Sequence, residues 1–218
     1  MNVFILPGTV IPALSHSGQN KGRIMTRKIE FVSGEYYHLF NRGTNKNLIF
    51  KSSQNYLFLI NRLKKYSRKF NISLIAYCLM PNHYHFLLRQ NGEYKIADFM
   101  QGVFNSYSKA FNNMYKRSGT LFEGPFKDIH IDKQEYLIHL CRYIHRNPVD
   151  GKKPLVKNIE DWPYSNYPEW IGIRKGTLCD YQFVLDHFQT GEYYKEFVDD
   201  YISPKRLDEF FRNYLLEE

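Results

Sequence analysis

Apolar positions in residues 35–146 alternate between two spacings, two residues and about 3.6 residues. Residues 35–42 (EYYHLFNR) are aromatic-rich and strand-like, closed by Gly43. Residues 54–70 carry Tyr56, Leu57, Ile60 and Leu63 at helical spacing. Residues 72–80 form a nearly continuous apolar run, as expected for a strand buried on both faces. Met80-Pro81-Asn82 is a turn, because proline cannot pair inside a sheet. Residues 83–90 follow as an antiparallel strand, with His83, His85 and Leu87 on one face and Tyr84, Phe86 and Leu88 on the other. Residues 95–116 form the clearest helix, with Ile96, Phe99, Met100, Val103, Tyr107 and Phe111 on one stripe. Residues 126–132 alternate as a strand, and residues 133–146 form a helix stopped by Asn147-Pro148. The order β-α-β-β-α-β-α predicts an α+β fold: a ferredoxin-like antiparallel sheet (β-α-β-β-α-β) with an added C-terminal helix.

An aromatic and proline-rich segment at 161–170 is expected to wrap this core, and residues 181–218 to form two short helices broken near Ser203-Pro204. Three regions result: 1–24 as an N-terminal extension (or a start of translation at Met25), 25–170 as the main domain, and 171–218 as a C-terminal helical extension. No stretch reaches the roughly 18 apolar residues of a membrane helix, which points away from a membrane partner. Cys78, Cys141 and Cys179 lack metal-ligand spacing, which argues against structural zinc; they read as free thiols in a reducing cytoplasm, two of them in the core.

The net charge of +8 is uneven. Nine acidic and four basic residues lie from Tyr181 onward, leaving +13 on residues 1–180. A basic surface interleaved with tyrosine and asparagine suits a phosphate polymer, although a merely soluble basic protein has the same composition.

Chemistry concentrates in two places. His83 and His85 project from one strand face, and Tyr143 and Asn147, four apart on a helix, share another face. Together these side chains could form a metal site with a nucleophile beside it, which suggests chemistry on a phosphodiester. At about 100° per residue, Tyr136, His139, Tyr143, Arg146 and Asn147 fall beside the apolar stripe Leu137, Leu140, Cys141 and Ile144. Each residue also has an ordinary structural explanation: a tyrosine at a core edge, an asparagine before proline, histidines on a surface strand. His38, His130, His139 and His145 are further candidate ligands.

MPNHYHFLL resembles the His-hydrophobe-His motif of single-tyrosine transposases, in particular the REP-associated tyrosine transposases, IS200-like members of the HUH endonucleases. YIHRNPV is similar to their nucleophile helix, and NRGTNKNLIF, RSGTLFEGPFK and DWPYSNYPEW are similar to other stretches of the family. The resemblance covers roughly residues 27–170. It departs at Pro125, where the family carries an arginine, so one phosphate or base contact is in question. The resemblance implies that Tyr143 is the catalytic nucleophile and that His83, His85 and Asn147 hold a divalent metal, Mg²⁺ or Mn²⁺. It implies a 5′-phosphotyrosine intermediate on single-stranded DNA or a DNA hairpin formed by palindromic repeats. Arg42, Lys46, Lys116, Arg117, Lys127, Arg142 and Arg146 are the expected DNA contacts, in a monomer or homodimer. The alternative is a catalytically silent DNA-binding protein of the same fold; replication-initiator and relaxase nucleases share the chemistry but match less of the chain.

Overall fold

The structure, a computed structural model, describes residues 30–150, 153–178 and 180–200. The N-terminal extension, Cys179 and the expected break at Ser203-Pro204 lie outside the described residues. Four strands form one antiparallel sheet: β1 (Tyr36–Arg42), β2 (Ile72–Met80), β3 (His83–Gln90) and β4 (Lys127–Ile131), in the order β2-β3-β1-β4. Helices α1 (Ser53–Phe70) and α2 (Ile96–Met114) cover one face, and α3 (Gln134–Asp150) covers the other. This is the ferredoxin-like order the hydrophobic pattern predicts, with the added helix packed on the face opposite the first two.

Strand β2 is apolar at every position but Ser73 because both faces are covered. A register shift between Leu74 and Ala76 turns both Ile75 and Ala76 toward α3, while Leu74 and Tyr77 face α1 and α2. Helix α1 starts on a reciprocal cap between Ser52 and Asn55 and ends at Asn71, whose left-handed conformation (φ 50°) suits asparagine.

On the α3 side, Leu137, Leu140, Cys141 and Ile144 are all buried against Ala76, Cys78 and Leu87. Burying one such aliphatic side chain stabilises by about 1.5–3 kcal/mol. The same core takes in α4 (Tyr167–Trp170), α5 (Tyr181–Phe188) and α6 (Gly191–Asp199) through Trp170, Phe183, Val184, Tyr194 and Val198. The described part of the C-terminal extension is thus built onto α3. Within it the helices separate at Gln189-Thr190, where Gln189 has φ 62° and the Thr190 side chain caps α6.

Helix α3 does not stop at Asn147-Pro148, as the sequence suggests; it runs to Asp150 with Pro148 inside it and buried. Proline in the last turn forfeits one backbone bond, to the Ile144 carbonyl, and its fixed φ is helical. Burial of its ring outweighs that single loss.

The open edge of β2 is closed by the aromatic segment. Leu79 N–H donates to the Tyr164 carbonyl (2.9 Å), and Trp162 Nε1–H to that of Leu79 (3.2 Å). Asn166 completes the seam: its Oδ1 accepts from Tyr77 N–H (2.7 Å) and its Nδ2 donates to the Ile75 carbonyl (2.7 Å). The same Oδ1 lies 2.9 Å from His145 Nε2 on α3, and His145 Nδ1 is 2.6 Å from the Tyr194 hydroxyl on α6. A neutral His145 satisfies all of these, donating from Nε2 and accepting at Nδ1. Burial pushes its pKa down to about 4. The polar chain Asn166–His145–Tyr194 therefore fixes α3 against the sheet edge on one side and α6 on the other.

Candidate active site

Strand alternation puts His83 and His85 on the α3 face of the sheet, with their rings 5.2 Å apart and nearly perpendicular. The rotation of α3 that buries Leu140 and Ile144 turns Tyr143 and Asn147 toward these histidines. The half-buried Tyr143 ring stands edge-on to His85, with centroids 5.3 Å apart. Asn147 Oδ1 lies 3.3 Å from His83 Nε2. The four residues singled out from two distant stretches of sequence thus meet in one place.

Hydrogen bonds orient each group. Asn147 Nδ2 donates to the Tyr143 carbonyl one turn earlier (2.9 Å), which directs Oδ1 at His83. His83 Nδ1 lies 2.7 Å from Asn82 Oδ1. An oxygen there requires the proton on Nδ1, which leaves the Nε2 lone pair facing the Asn147 oxygen. In neutral His83 these are two acceptors 3.3 Å apart; they attract only if a cation, a proton or a metal ion, sits between them.

His85 is fully buried, and its Nε2 has no hydrogen-bond partner among the described residues. Its Nδ1 is 3.0 Å from His38 Nε2. Burial, reinforced by the neighbouring His38 and His83, holds the His85 pKa well below the usual range, and burial alone pushes His38 down to about 3. Both rings are neutral at neutral pH. The donor set of His83 Nε2, His85 Nε2 and Asn147 Oδ1, two imidazoles and an amide oxygen, suits a divalent ion such as Mn²⁺ better than the oxygen-seeking Mg²⁺. Among the described residues no three His, Cys, Asp or Glu side chains form a metal cluster, so the amide oxygen is essential to this fit.

Basic side chains rim the same end of the sheet. Arg42 pairs across the strands with His83 and is held by Glu123 in an exposed ion pair. Lys46 is exposed in the turn beside Asn82, and Lys127 lies 5.7 Å from the centre of the Phe40 ring, which stacks on His85. Lys116 and Arg117 follow α2, and Arg117 shares with Thr44, Asn47 and Lys51 a cavity of about 380 Å³.

The other expected DNA contacts are placed differently. Arg142 is buried and donates to the carbonyls of Phe197 (2.9 Å) and Asp200 (3.3 Å) and to His139 Nδ1 (2.8 Å). Arg146 pairs with Asp150 and donates to the Val198 carbonyl (3.3 Å). These two arginines hold the end of α6 rather than the open rim. The stripe Tyr136–Asn147 therefore divides, with Tyr143 and Asn147 toward the sheet and His139 and Arg146 toward α6.

His130 pairs with Glu35 and His145 lies in the core network, both away from the histidine pair. His38 touches it directly. Asn82, which sets the His83 tautomer, escaped the sequence reading, although its position just before the histidine motif was a signal. Pro125 is exposed and lines a cavity of about 420 Å³ with Asn41, Tyr84 and Phe122, on the sheet face opposite the histidines.

A family model described as "Transposase IS200 like" matches residues 31–147, which holds all of these residues. No curated protein matches the chain. Among solved structures, a REP-associated tyrosine transposase bound to a REP hairpin aligns with TM-score 0.56 at 17% identity. It covers 72% of this chain and 94% of its own, so the two share a fold. A putative transposase from Deinococcus radiodurans R1 aligns at 16% identity with TM-score 0.39, over 56% of this chain and 97% of its own. With the family match spanning more than half of its length, the chain belongs to the IS200-like transposase family.

Proposed function

We propose that this protein cuts and rejoins single-stranded DNA through a covalent bond to Tyr143, with a divalent metal held by His83, His85 and Asn147. The observation that carries this reading is the approach of His83 Nε2 to Asn147 Oδ1 at 3.3 Å, beside the His85 ring, whose Nε2 has no partner among the described residues and which Tyr143 meets at 5.3 Å. The solved REP-associated transposase of the same fold is bound to a hairpin, which supports a hairpin as the DNA partner here.

A bound metal would withdraw charge from the scissile phosphate and lower the barrier to attack by a weak nucleophile. The chain's own residues do the rest. Asn147 holds its amide toward His83 through the Tyr143 carbonyl, so the nucleophile and the acceptor cluster keep a fixed offset. Tyr143 Oη forms its bond to phosphorus as the bond to the 3′ oxygen breaks. The phenol gives up its proton, the departing 3′ oxygen gains one, and the 5′ side stays on the tyrosine. A different 3′ hydroxyl reverses the step and joins a new pair of ends, so no nucleotide cofactor is consumed. Arg42, Lys46, Lys116, Arg117 and Lys127 guide the phosphate backbone to the site.

The test is incubation with a labelled single-stranded hairpin and Mn²⁺, followed by a denaturing gel. A slow-migrating covalent adduct is expected, absent with EDTA and absent from Tyr143→Phe, which still binds the hairpin. Peptide mapping should find the DNA on Tyr143; an adduct on Tyr115 or Tyr136 would overturn the assignment. Binding with no adduct under any divalent ion would leave a silent DNA-binding protein.

A further inference from the structure

The buried pair His38–His85 contains one fact the proposed reaction does not use. Their ring planes lie nearly parallel, 17° apart, with His38 Nε2 3.0 Å from His85 Nδ1. The two outer nitrogens, His38 Nδ1 and His85 Nε2, have no partner among the described residues. Two neutral imidazoles share one hydrogen bond across that gap, so only two arrangements exist. In one, His38 Nε2–H donates to His85 Nδ1, and His85 then carries its proton on Nε2 and presents no lone pair. In the other, His85 Nδ1–H donates to His38 Nε2, and His85 Nε2 is bare.

Only the second arrangement leaves His85 able to bind a cation. It also puts a proton on His38 Nδ1, in a buried position with no acceptor. His83 has a parallel device, since the Asn82 oxygen already demands a proton on its Nδ1. A carboxamide oxygen can only accept, so it fixes His83 outright. An imidazole can donate or accept, so the His38 contact fixes His85 only in one of its two states.

We infer that His38 is a positioning residue that accepts the Nδ1 proton of His85 and so presents the His85 Nε2 lone pair to the metal. This rests on the metal reading above and extends it from three ligands to a relay of tautomers. Groups that orient a metal-binding histidine in this way are worth about 10–100-fold in metal affinity. His38 touches neither metal nor DNA, and its effect reaches them through His85.

The experiment is a Mn²⁺ titration of four full-length proteins: wild type, His85→Ala, His38→Phe and His38→Gln. His38→Phe keeps an aromatic ring and removes the acceptor, whereas His38→Gln offers a carboxamide oxygen in its place. The expected result is Mn²⁺ affinity lowered about 10–100-fold in His38→Phe and largely restored in His38→Gln. Equal affinity in wild type and His85→Ala would remove the metal reading and this inference with it. Affinity lost in His85→Ala but unchanged in His38→Phe would overturn this inference alone, as would equal losses in His38→Phe and His38→Gln, which would mark His38 as mere packing. Should a variant fail to fold, ¹⁵N NMR of wild-type imidazoles under saturating Mg²⁺ decides independently. A protonated His85 Nδ1 with bare Nε2 supports the inference, and a proton retained on Nε2 refutes it.

Discussion

Mild acid should destabilise this fold sharply, because three histidines among the described residues are fully buried: His38, His85 and His145. Burial holds His38 at about 3 and His145 at about 4, and His85 well below the usual range. In the unfolded chain each titrates near 6.5. The unfolded state therefore binds protons that the folded state refuses, and stability falls as pH drops below about 6.5. The loss from His145 continues until pH reaches its folded value near 4. At pH 5 His38 and His145 each cost about 2 kcal/mol relative to pH 7.5, about 4 kcal/mol together, and the buried His85 acts in the same direction. A domain with a total stability of about 5–15 kcal/mol would be brought close to unfolding. Carboxylates titrate mainly below pH 5, so the window from 7.5 to 5 isolates the histidines. Thermal melts at half-unit pH steps, with EDTA present, would measure it. A drop of about 10–20 °C in Tm is expected over the same range. A melting curve unchanged between pH 7.5 and 5 would refute the reasoning, since the histidines would then be protonating in the folded state without penalty.

Other expectations are equally direct. Asn166→Ala removes the partner of Tyr77 N–H, the Ile75 carbonyl and His145 Nε2 in one step; chemical denaturation should show a loss of at least about 3 kcal/mol, from about 1–3 kcal/mol per orphaned group. Asn147→Ala removes an acceptor from the cluster and the tie to the Tyr143 carbonyl, so adduct formation should fall while Tm moves by little. Hairpin affinity should fall steeply with salt, and Lys46→Ala, Lys116→Ala and Lys127→Ala should each flatten the log–log slope by about 0.7–0.9, whereas Arg142→Ala should act through stability, because its guanidinium serves α6. A salt response unaltered by all three lysine variants would move the DNA path off this rim.

Much of the fold was legible in the chain because its signals are local. The β2 run, the β3 alternation and the α1 and α2 stripes follow from side-chain period alone, which also placed His83 with His85 and Tyr143 with Asn147. Their meeting was suggested by their chemistry and implied by the family resemblance, but no local signal fixes it. In physical terms it depends on which sheet face α3 covers and on how far the helix is rotated, and these are settled by the packing of Leu140, Ile144 and the C-terminal helices. The end of α3 was misplaced because Asn-Pro is a strong local stop signal, overridden by burial of Pro148 in the tertiary core. Arg142 and Arg146 stood out as expected DNA contacts because charge is visible in a sequence; the carbonyls they hold in the fold lie more than fifty residues away and are not. His38 likewise lies 47 residues from His85, whereas Asn82 is the neighbour of His83 and only the turn geometry shows that their side chains meet. Hydrogen-bond partners across strands and turns have no sequence period, so the groups that face Nδ1 of the two histidines are set only by the assembled sheet.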